Sequence, residues 1–440
     1  MSFPAYLDYK DSGVPWLGDI PARWSVGRIK DLFEIRKRIA GELGHDVLSI
    51  TQSGLRVKDV EGNEGQQAMD YSKYQKVLPG EFAMNHMDLL TGWIDIATQG
   101  GVTSPDYRVF GARNAEAVDA IYFLRVFQMA YSARQFYPFG QGSSQLGRWR
   151  LPKDEFYAFP VPIPPLDEQK QIRLFLDRET AKIDALVAEQ ERLIALLKEK
   201  RQAVISHAVT KGLDPDAPMK DSGVEWLGEV PAHWQVDRIS RLFKKVGSGT
   251  TPSSEAAFKG GTVNWVTTGE LRELPITVTR KRVNEAALDS LSSLQVYPPG
   301  TLLIAMYGAT IGRLGWLEKP ACTNQACCAM ANPVRIETRF AFYCLWSATE
   351  ALMLLGSGGG QPNINQEKVR AFRLPAPPLS EQQSIVAFLD RETNKIGELV
   401  ERALGAISLL QERRAALISA AVTGKIDVRG LVEQQEMEAA

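Results

Sequence analysis

Two stretches of this chain have to be long helices, and the rest must be arranged around them. The first is residues 166–212, LDEQKQIRLFLDRETAKIDALVAEQERLIALLKEKRQAVISHAVTKG. Pro164 and Pro165 stop whatever precedes it. Asp167 is placed to cap the start, because its carboxylate can accept from the free N–H groups of the first turn. No Pro or Gly follows until Gly212, where a C-terminal glycine is expected. Apolar residues fall at Ile172, Leu176, Ile183, Leu186, Leu193, Leu197, Val204 and Ala208, in steps of three, four and seven. That is a heptad-like seam with a period near 3.5, interrupted by Glu179, Gln190 and Arg201. About 43 helical residues at roughly 1.5 Å each make a rod of about 65 Å. Such a rod needs a partner for its seam.

The chain contains a candidate partner. Residues 379–423 repeat the stretch at a constant offset of 213, and Leu166–Asp184 matches Leu379–Gly397 at 12 of 19 positions. Ile385, Leu389, Ile396, Leu399, Leu410, Leu417 and Ala421 fall on the first seam's positions. Ser380 and Gln383 have the spacing of a capping box. Either the two rods pair within one chain or each pairs with a second copy.

The duplication extends beyond the rods. Lys10–Phe33, KDSGVPWLGDIPARWSVGRIKDLF, returns as Lys220–Phe243 at an offset of 210, with 16 of 24 residues identical. The order is box, variable region, rod, then the same again. Gly13, Gly18 and Pro21 punctuate the box, and Trp16, Leu17 and Trp24 are its apolar anchors. It shows neither a helical nor a strand period. It also lacks the clustered glycines of a phosphate loop.

The variable regions, 25–161 and 235–374, read as short strands and turns with one helix each. Strands are expected at Val47–Thr51, Glu81–Met84, Trp93–Ala97, Val263–Thr267, Ile276–Thr279 and Thr301–Met306. Helices are expected at Val118–Ala133 and Arg339–Leu355. Pro79-Gly80 matches Pro299-Gly300, and Ala158-Phe159 matches Ala371-Phe372 before each rod. Both regions therefore share one α/β fold with diverged polar surfaces.

Catalytic patterns are missing from the sequence. No strand ends in GxGxxG, and Asn332-Pro333-Val334-Arg335 is not a methyltransferase's base-binding motif. Asp214-Pro215-Asp216 reads as an acidic linker turn rather than a nuclease cluster. No GxxxxGK[ST] occurs. His45, His86, His207 and His233 are scattered without metal or triad spacing. Cys322, Cys327, Cys328 and Cys344 form no CxxC pair and lack a nearby His, which suits reduced thiols of a cytoplasmic protein. The polar start MSFPAYLDYKDSG is no signal peptide, and no 18-residue apolar run exists. The net charge of −1 means that any basic surface must be local.

Polar loops suited to contact nucleic acid recur at equivalent places. Before the first rod lie Gln141, Ser143, Ser144, Arg148 and Arg150. In the second region, Thr250 and Thr251 sit in a hydroxyl-rich loop, Lys281 and Arg282 in a basic cluster, and Gln361 and Asn363 in GSGGGQPNIN. Gln and Asn suit adenine, Arg suits guanine, and hydroxyl and backbone N–H groups suit phosphates.

The KDSGVxWLGxxPxxW box, the PPLxEQ…FLDRETxKI rod start, GTLLIAMYGATIGRLGW and INQEKVRAFRLPAPP together resemble the specificity subunit of type I restriction–modification enzymes. The resemblance spans nearly the whole chain. It implies a mixed α+β fold: two similar α/β target-recognition domains separated by two long helices packed as an antiparallel coiled coil, with internal pseudo-two-fold symmetry. The expected division is 1–161 for the first domain with its box and 162–212 for the central helix. The second domain would take 213–374, the C-terminal helix 375–425 and a tail 426–440. Each domain would read one half of a bipartite site in double-stranded DNA, and the helices would set the gap. The subunit has no active site and no cofactor of its own. S-adenosylmethionine, ATP and Mg2+ would sit on the methyltransferase and endonuclease subunits it joins. The first region lacks the YGATIG-like strand and the INQE signature. A non-catalytic homodimeric scaffold binding DNA or protein is the other reading.

Overall fold

The computed structural model describes residues 3–59, 70–143, 148–308, 310–356 and 363–432; for Ser143 and Arg148 it describes the backbone. It divides into two units, Met1–Gln190 with Gly405–Ala440, and Glu191–Leu404.

In the first unit the box holds a hairpin that its sequence does not announce. Tyr9–Asp11 pairs antiparallel with Asp19–Pro21, Tyr9 opposite Pro21. Three-residue strands are too short to show alternation. Ser25–Arg28 then pairs with Pro160–Ile163, the segment leading into the rod. Trp24 is wholly buried, and Trp16 stacks on Phe159 with ring centroids 5.6 Å apart. The core sheet has four antiparallel strands, in the order Phe33–Ile35, Arg108–Ala112, Phe82–Met84, Ile94–Ile96. Helix Ala120–Ser132 covers it, with Asp119 capping through the Tyr122 amide at 2.8 Å. Phe33, Phe82, Phe110, Phe123 and Phe127 meet between sheet and helix.

The second unit repeats this plan. Met219–Asp221 pairs with Glu229–Pro231, and Gln235–Arg238 with Arg373–Ala376. Trp234 is wholly buried, and Trp226 stacks on Phe372, again at 5.6 Å. Its main sheet has five strands, in the order Phe243–Ser248, Cys327–Pro333, Leu302–Ala305, Leu314–Leu317, Pro275–Ile276. A three-stranded sheet, Lys281–Val283, Val263–Val266, Ala321–Thr323, is added beside it. Two expectations are corrected here. Strand at 276–279 shrinks to Pro275–Ile276, because the Thr279 hydroxyl turns back to the Lys281 carbonyl at 2.6 Å. The helix expected over 339–355 is two, Thr338–Ser347 and Thr349–Leu354; Ala348 separates them, and the Thr349 hydroxyl donates to the Trp346 carbonyl at 2.8 Å.

The long helices are Leu166–Lys211, 46 residues, and Leu379–Val422, 44 residues. Each ends before a glycine with positive φ, Gly212 at 76° and Gly424 at 73°. Because they start at Leu166 and Leu379, Asp167 and Ser380 lie inside the first turn rather than at the cap. Asp167 there still favours the positive end of the helix dipole.

Within the first unit, Ile172, Phe175, Leu176 and Ile183 share one buried core with Leu417, Ala421 and Val422 of the second helix. Arg414 donates to Asp184 at 2.9 Å. Within the second unit, Ile205, Ala208 and Val209 share a core with Ile385 and Leu389. Both helices therefore pair inside the chain.

The seam is not the heptad seam throughout. Leu186, Leu193 and Leu399 are 51, 42 and 45% exposed, whereas Ile194 and Ala403 are buried. The inward face returns every 11 residues: Ile172, Ile183, Ile194 and Ile205 are all buried. The second helix matches it with Ile385, Ile396, Ile407 and Ile418, all at least half-buried. Eleven residues make three turns plus about 20°, so one face is kept with little drift. Three heptads counted from Ile172 drift by about 60° and put Leu193 on the open side.

Candidate nucleic-acid interface

Strand register gathers one set of loops in the second unit. Ser248 pairs with Cys328, Cys327 with Ala305, and Ile304 with Leu314. The end of one strand thus lies beside the start of the next, and segments 249–253, 324–326, 306–308 and 310–313 share one edge. Trp265 Nε1 holds the Thr250 carbonyl at 3.1 Å, and the Thr251 hydroxyl donates to Gln325 Oε1 at 2.6 Å. Met306 donates its amide to Ala326 at 2.8 Å, and Tyr307 bridges to Asn363. Behind them Gln366 Nε2 and Arg370 Nη1 both donate to the Val246 carbonyl, at 3.3 and 3.2 Å. Glycine is required at 249, since a Cβ there would overlap the Thr323 carbonyl.

The first unit builds the same edge from different residues. Phe110 pairs with both Ile35 and Phe82, and Phe82 with Ile96, which brings 36–47, 104–107 and 85–93 together. The hairpin Gln141–Ser143 with Arg148–Arg150 joins them, because Leu89 donates to the Trp149 carbonyl at 2.9 Å. Leu151 donates its amide to the His86 carbonyl at 2.9 Å, as Ile364 does to Met306 at 2.8 Å. So His86–Gly92 stands where MYGATIG stands in the second unit, and Leu151–Asp154 stands for Ile364–Glu367. The backbone counterparts of both signatures exist although their sequences do not.

Electrostatics differ at the two edges. In the first unit Arg36 donates to Glu81 at 3.0 Å, and Arg38 also pairs with this buried carboxylate. Both guanidiniums are engaged inside the protein. Arg108 is buried, lies over the Phe156 ring at 4.6 Å and donates to the Leu151 carbonyl at 3.0 Å. Burial lowers its pKa to about 10. Burial, helped by the Arg108 charge, pushes the neighbouring His86 down to about 3, so the imidazole is neutral at ordinary pH.

The residues expected at a nucleic-acid surface fall in three groups. Gln141 and Arg150 are exposed, paired across the first unit's hairpin. The backbones of Ser143 and Arg148 pair on the same hairpin, while Ser144 lies outside the described residues. Thr250 and Thr251 lie on loop 249–253, Asn363 bridges to Tyr307 of a neighbouring loop, and Gln361 lies outside the described residues. Lys281 and Arg282 sit apart on the three-stranded sheet, where Lys281 binds Glu255 at 2.8 Å and covers the Phe258 ring at 4.6 Å. Sequence reasoning missed Gln325 and the positioning role of Gln366 and Arg370. A polar Asn324-Gln325 pair between two apolar strands was the available signal, since that pattern marks a turn.

Among the described residues no group of three His, Cys, Asp or Glu is placed to hold a metal ion. All four cysteines are buried free thiols, and burial raises Cys322 and Cys328 to about 12. They are poor nucleophiles. No helix among the described residues is long and apolar enough to cross a membrane.

What the edges offer is exposed amide, hydroxyl and guanidinium groups on loops, the groups that read base edges and phosphates. Residues 231–404 match the family model of the type I restriction modification DNA specificity domain. Over those residues the chain is similar to the specificity subunits of type I restriction–modification systems. It is 22% identical to a putative type I restriction enzyme MjaX specificity subunit of Methanocaldococcus jannaschii, over 94% of this chain and 96% of that one. It is also 22% identical to the EcoR124I/EcoR124II specificity subunit of Escherichia coli, over 58% and 60% of the two chains. The fold matches a chain solved in work on complex assembly and conformational transition of the type I R-M system, with TM-score 0.67, 18% identity and coverage of 92% and 99%. The HsdS subunit of Thermoanaerobacter tengcongensis matches with TM-score 0.52, 16% identity and coverage of 92% and 98%.

Proposed function

We propose that each unit reads one half of a bipartite, asymmetric site in double-stranded DNA, while the long helices set the gap between the halves. The observation that carries this is the duplicated loop edge, built on the same backbone pairs but with different polar side chains. The first domain, 1–161, would use Gln141, Ser143, Ser144, Arg148 and Arg150. The second, 213–374, would use Thr250, Thr251, Gln361 and Asn363, with Lys281 and Arg282 as outlying phosphate contacts. Residues 162–212 and 375–425 are the spacers. Leucines exposed on the helices, such as Leu196 and Leu409, offer apolar surface to methyltransferase subunits, which the endonuclease subunits join. S-adenosylmethionine, ATP and Mg2+ belong to those partners, in the cytoplasm where the DNA is.

The test is a genome-wide map of methylated bases in the source cell with and without this gene. Loss of one motif, two short blocks around an unspecified gap, supports the reading. An unchanged map in a cell expressing the partner methyltransferase overturns it.

A further inference from the structure

We propose that Gln325 is a specificity-determining residue of the second unit, reading a base through its side-chain N–H groups; this rests on the function proposed above. The turn carrying it is pinned from every side. Asn324 donates its amide to the Val266 carbonyl at 2.9 Å, and its side chain accepts the Ala326 amide at 3.1 Å. The Ala326 carbonyl accepts from Met306 at 2.8 Å, and the Asn324 carbonyl from Cys327 at 3.3 Å. The backbone is fixed by the core strands, and of the turn's residues 324–326 Gln325 is the one that is exposed.

Its chemistry is fixed too. The Thr251 hydroxyl donates to Gln325 Oε1 at 2.6 Å, and Thr251 is itself held by its neighbours. Trp265 grips the Thr250 carbonyl, and Gly249 presses on Thr323 so closely that no side chain fits. With its oxygen accepting from Thr251, exposed Gln325 has two side-chain N–H donors to offer a ligand. A bidentate contact to adenine needs that same oxygen as its acceptor and would have to share it with the Thr251 hydroxyl. Gln325 suits a base edge that presents acceptors, as guanine O6 and N7 or thymine O4 do. A residue held this way loses little freedom on binding. The corresponding turn of the first unit carries the exposed carboxylate of Asp106, an acceptor, so the two units differ in hydrogen-bond sense at one place.

The experiment replaces the gene in the source cell with Gln325→Ala, Gln325→Glu or Thr251→Val and maps methylation genome-wide. Gln325→Ala should relax one base position in one half-site, with discrimination there falling about tenfold or more. The other half-site and the gap should stay fixed. Gln325→Glu, which turns donors into acceptors, should shift that position toward a base presenting a donor, such as cytosine N4. Thr251→Val should relax the same position, because it frees the amide to rotate. An unaltered motif in Gln325→Ala overturns the proposal while leaving the specificity function intact. Uniform loss of methylation at all sites, with unchanged melting of the purified complex, also overturns it. If deleting the whole gene leaves the map unchanged, the function itself has failed.

Discussion

Gln382 accepts the backbone amide of Glu337 through its side-chain oxygen at 2.7 Å, and its side-chain nitrogen donates to the Pro377 carbonyl at 2.7 Å. Gln169 does the same for Asp119 at 2.8 Å and Pro164 at 2.9 Å. The glutamate before each glutamine faces the box. Glu381 accepts from Trp234 Nε1 at 2.9 Å, and Glu168 from Arg23 Nε at 2.7 Å. The Glu-Gln pair at each helix start thus fastens the helix to the box on one side and to the α/β core on the other. Gln382→Leu keeps the volume but strands buried donors and acceptors. It should destabilise the second unit by about 2–3 kcal/mol, measured by denaturant unfolding. A loss under about 0.5 kcal/mol would show that the pair is dispensable.

Adjacent residues on one helix should respond in opposite ways. Ile194→Ala removes a buried side chain and should cost about 2–4 kcal/mol. Leu193→Ala removes one that is 42% exposed and should cost under about 1 kcal/mol. Thermal melts of the two variants decide between the 11-residue face and the heptad face. Equal losses would refute the 11-residue face.

Much of this was legible in the chain. The repeat, the two rods, Gly212 as terminator and most core strands follow from period and punctuation. The helix face was not, because Leu186, Leu193 and Leu399 continue a heptad as hydrophobically as Ile183 and Ile194 continue the 11-residue pattern. Composition cannot choose between them; packing does. The box hairpin was hidden by strands of three residues. The first unit's counterpart of MYGATIG was hidden because the likeness lies in backbone pairing, His86 to Leu151, and not in side chains. Gln325 was invisible until register placed its turn beside Thr251.

Acid should weaken the first unit through His86. Its folded pKa, about 3, lies below the usual 6.5, so the unfolded chain takes up the proton first. Stability is therefore fully present above about pH 6.5 and falls as pH drops toward 3. His86→Gln should flatten that part of the melting-temperature profile. Parallel profiles for the two proteins between pH 7 and 5 would rule out this origin.

Inserting four residues between Glu189 and Arg192 adds about one turn, roughly 5.4 Å. Matched insertion in the second helix keeps the faces paired. The recognised gap should grow by roughly one to two base pairs at about 3.4 Å per pair. Methylation mapping reads it directly. A gap of unchanged length would end the idea that the helices measure DNA.

The contacts that fasten each unit together use Glu168, Gln169, Glu381, Gln382 and the box tryptophans. The loop edge uses another set, Thr251, Gln325, Asn363, Gln141 and Arg150. Few residues serve in both. A mutation at the edge is thus felt by recognition and hardly at all by folding, so new sequence preferences can accumulate without a stability debt.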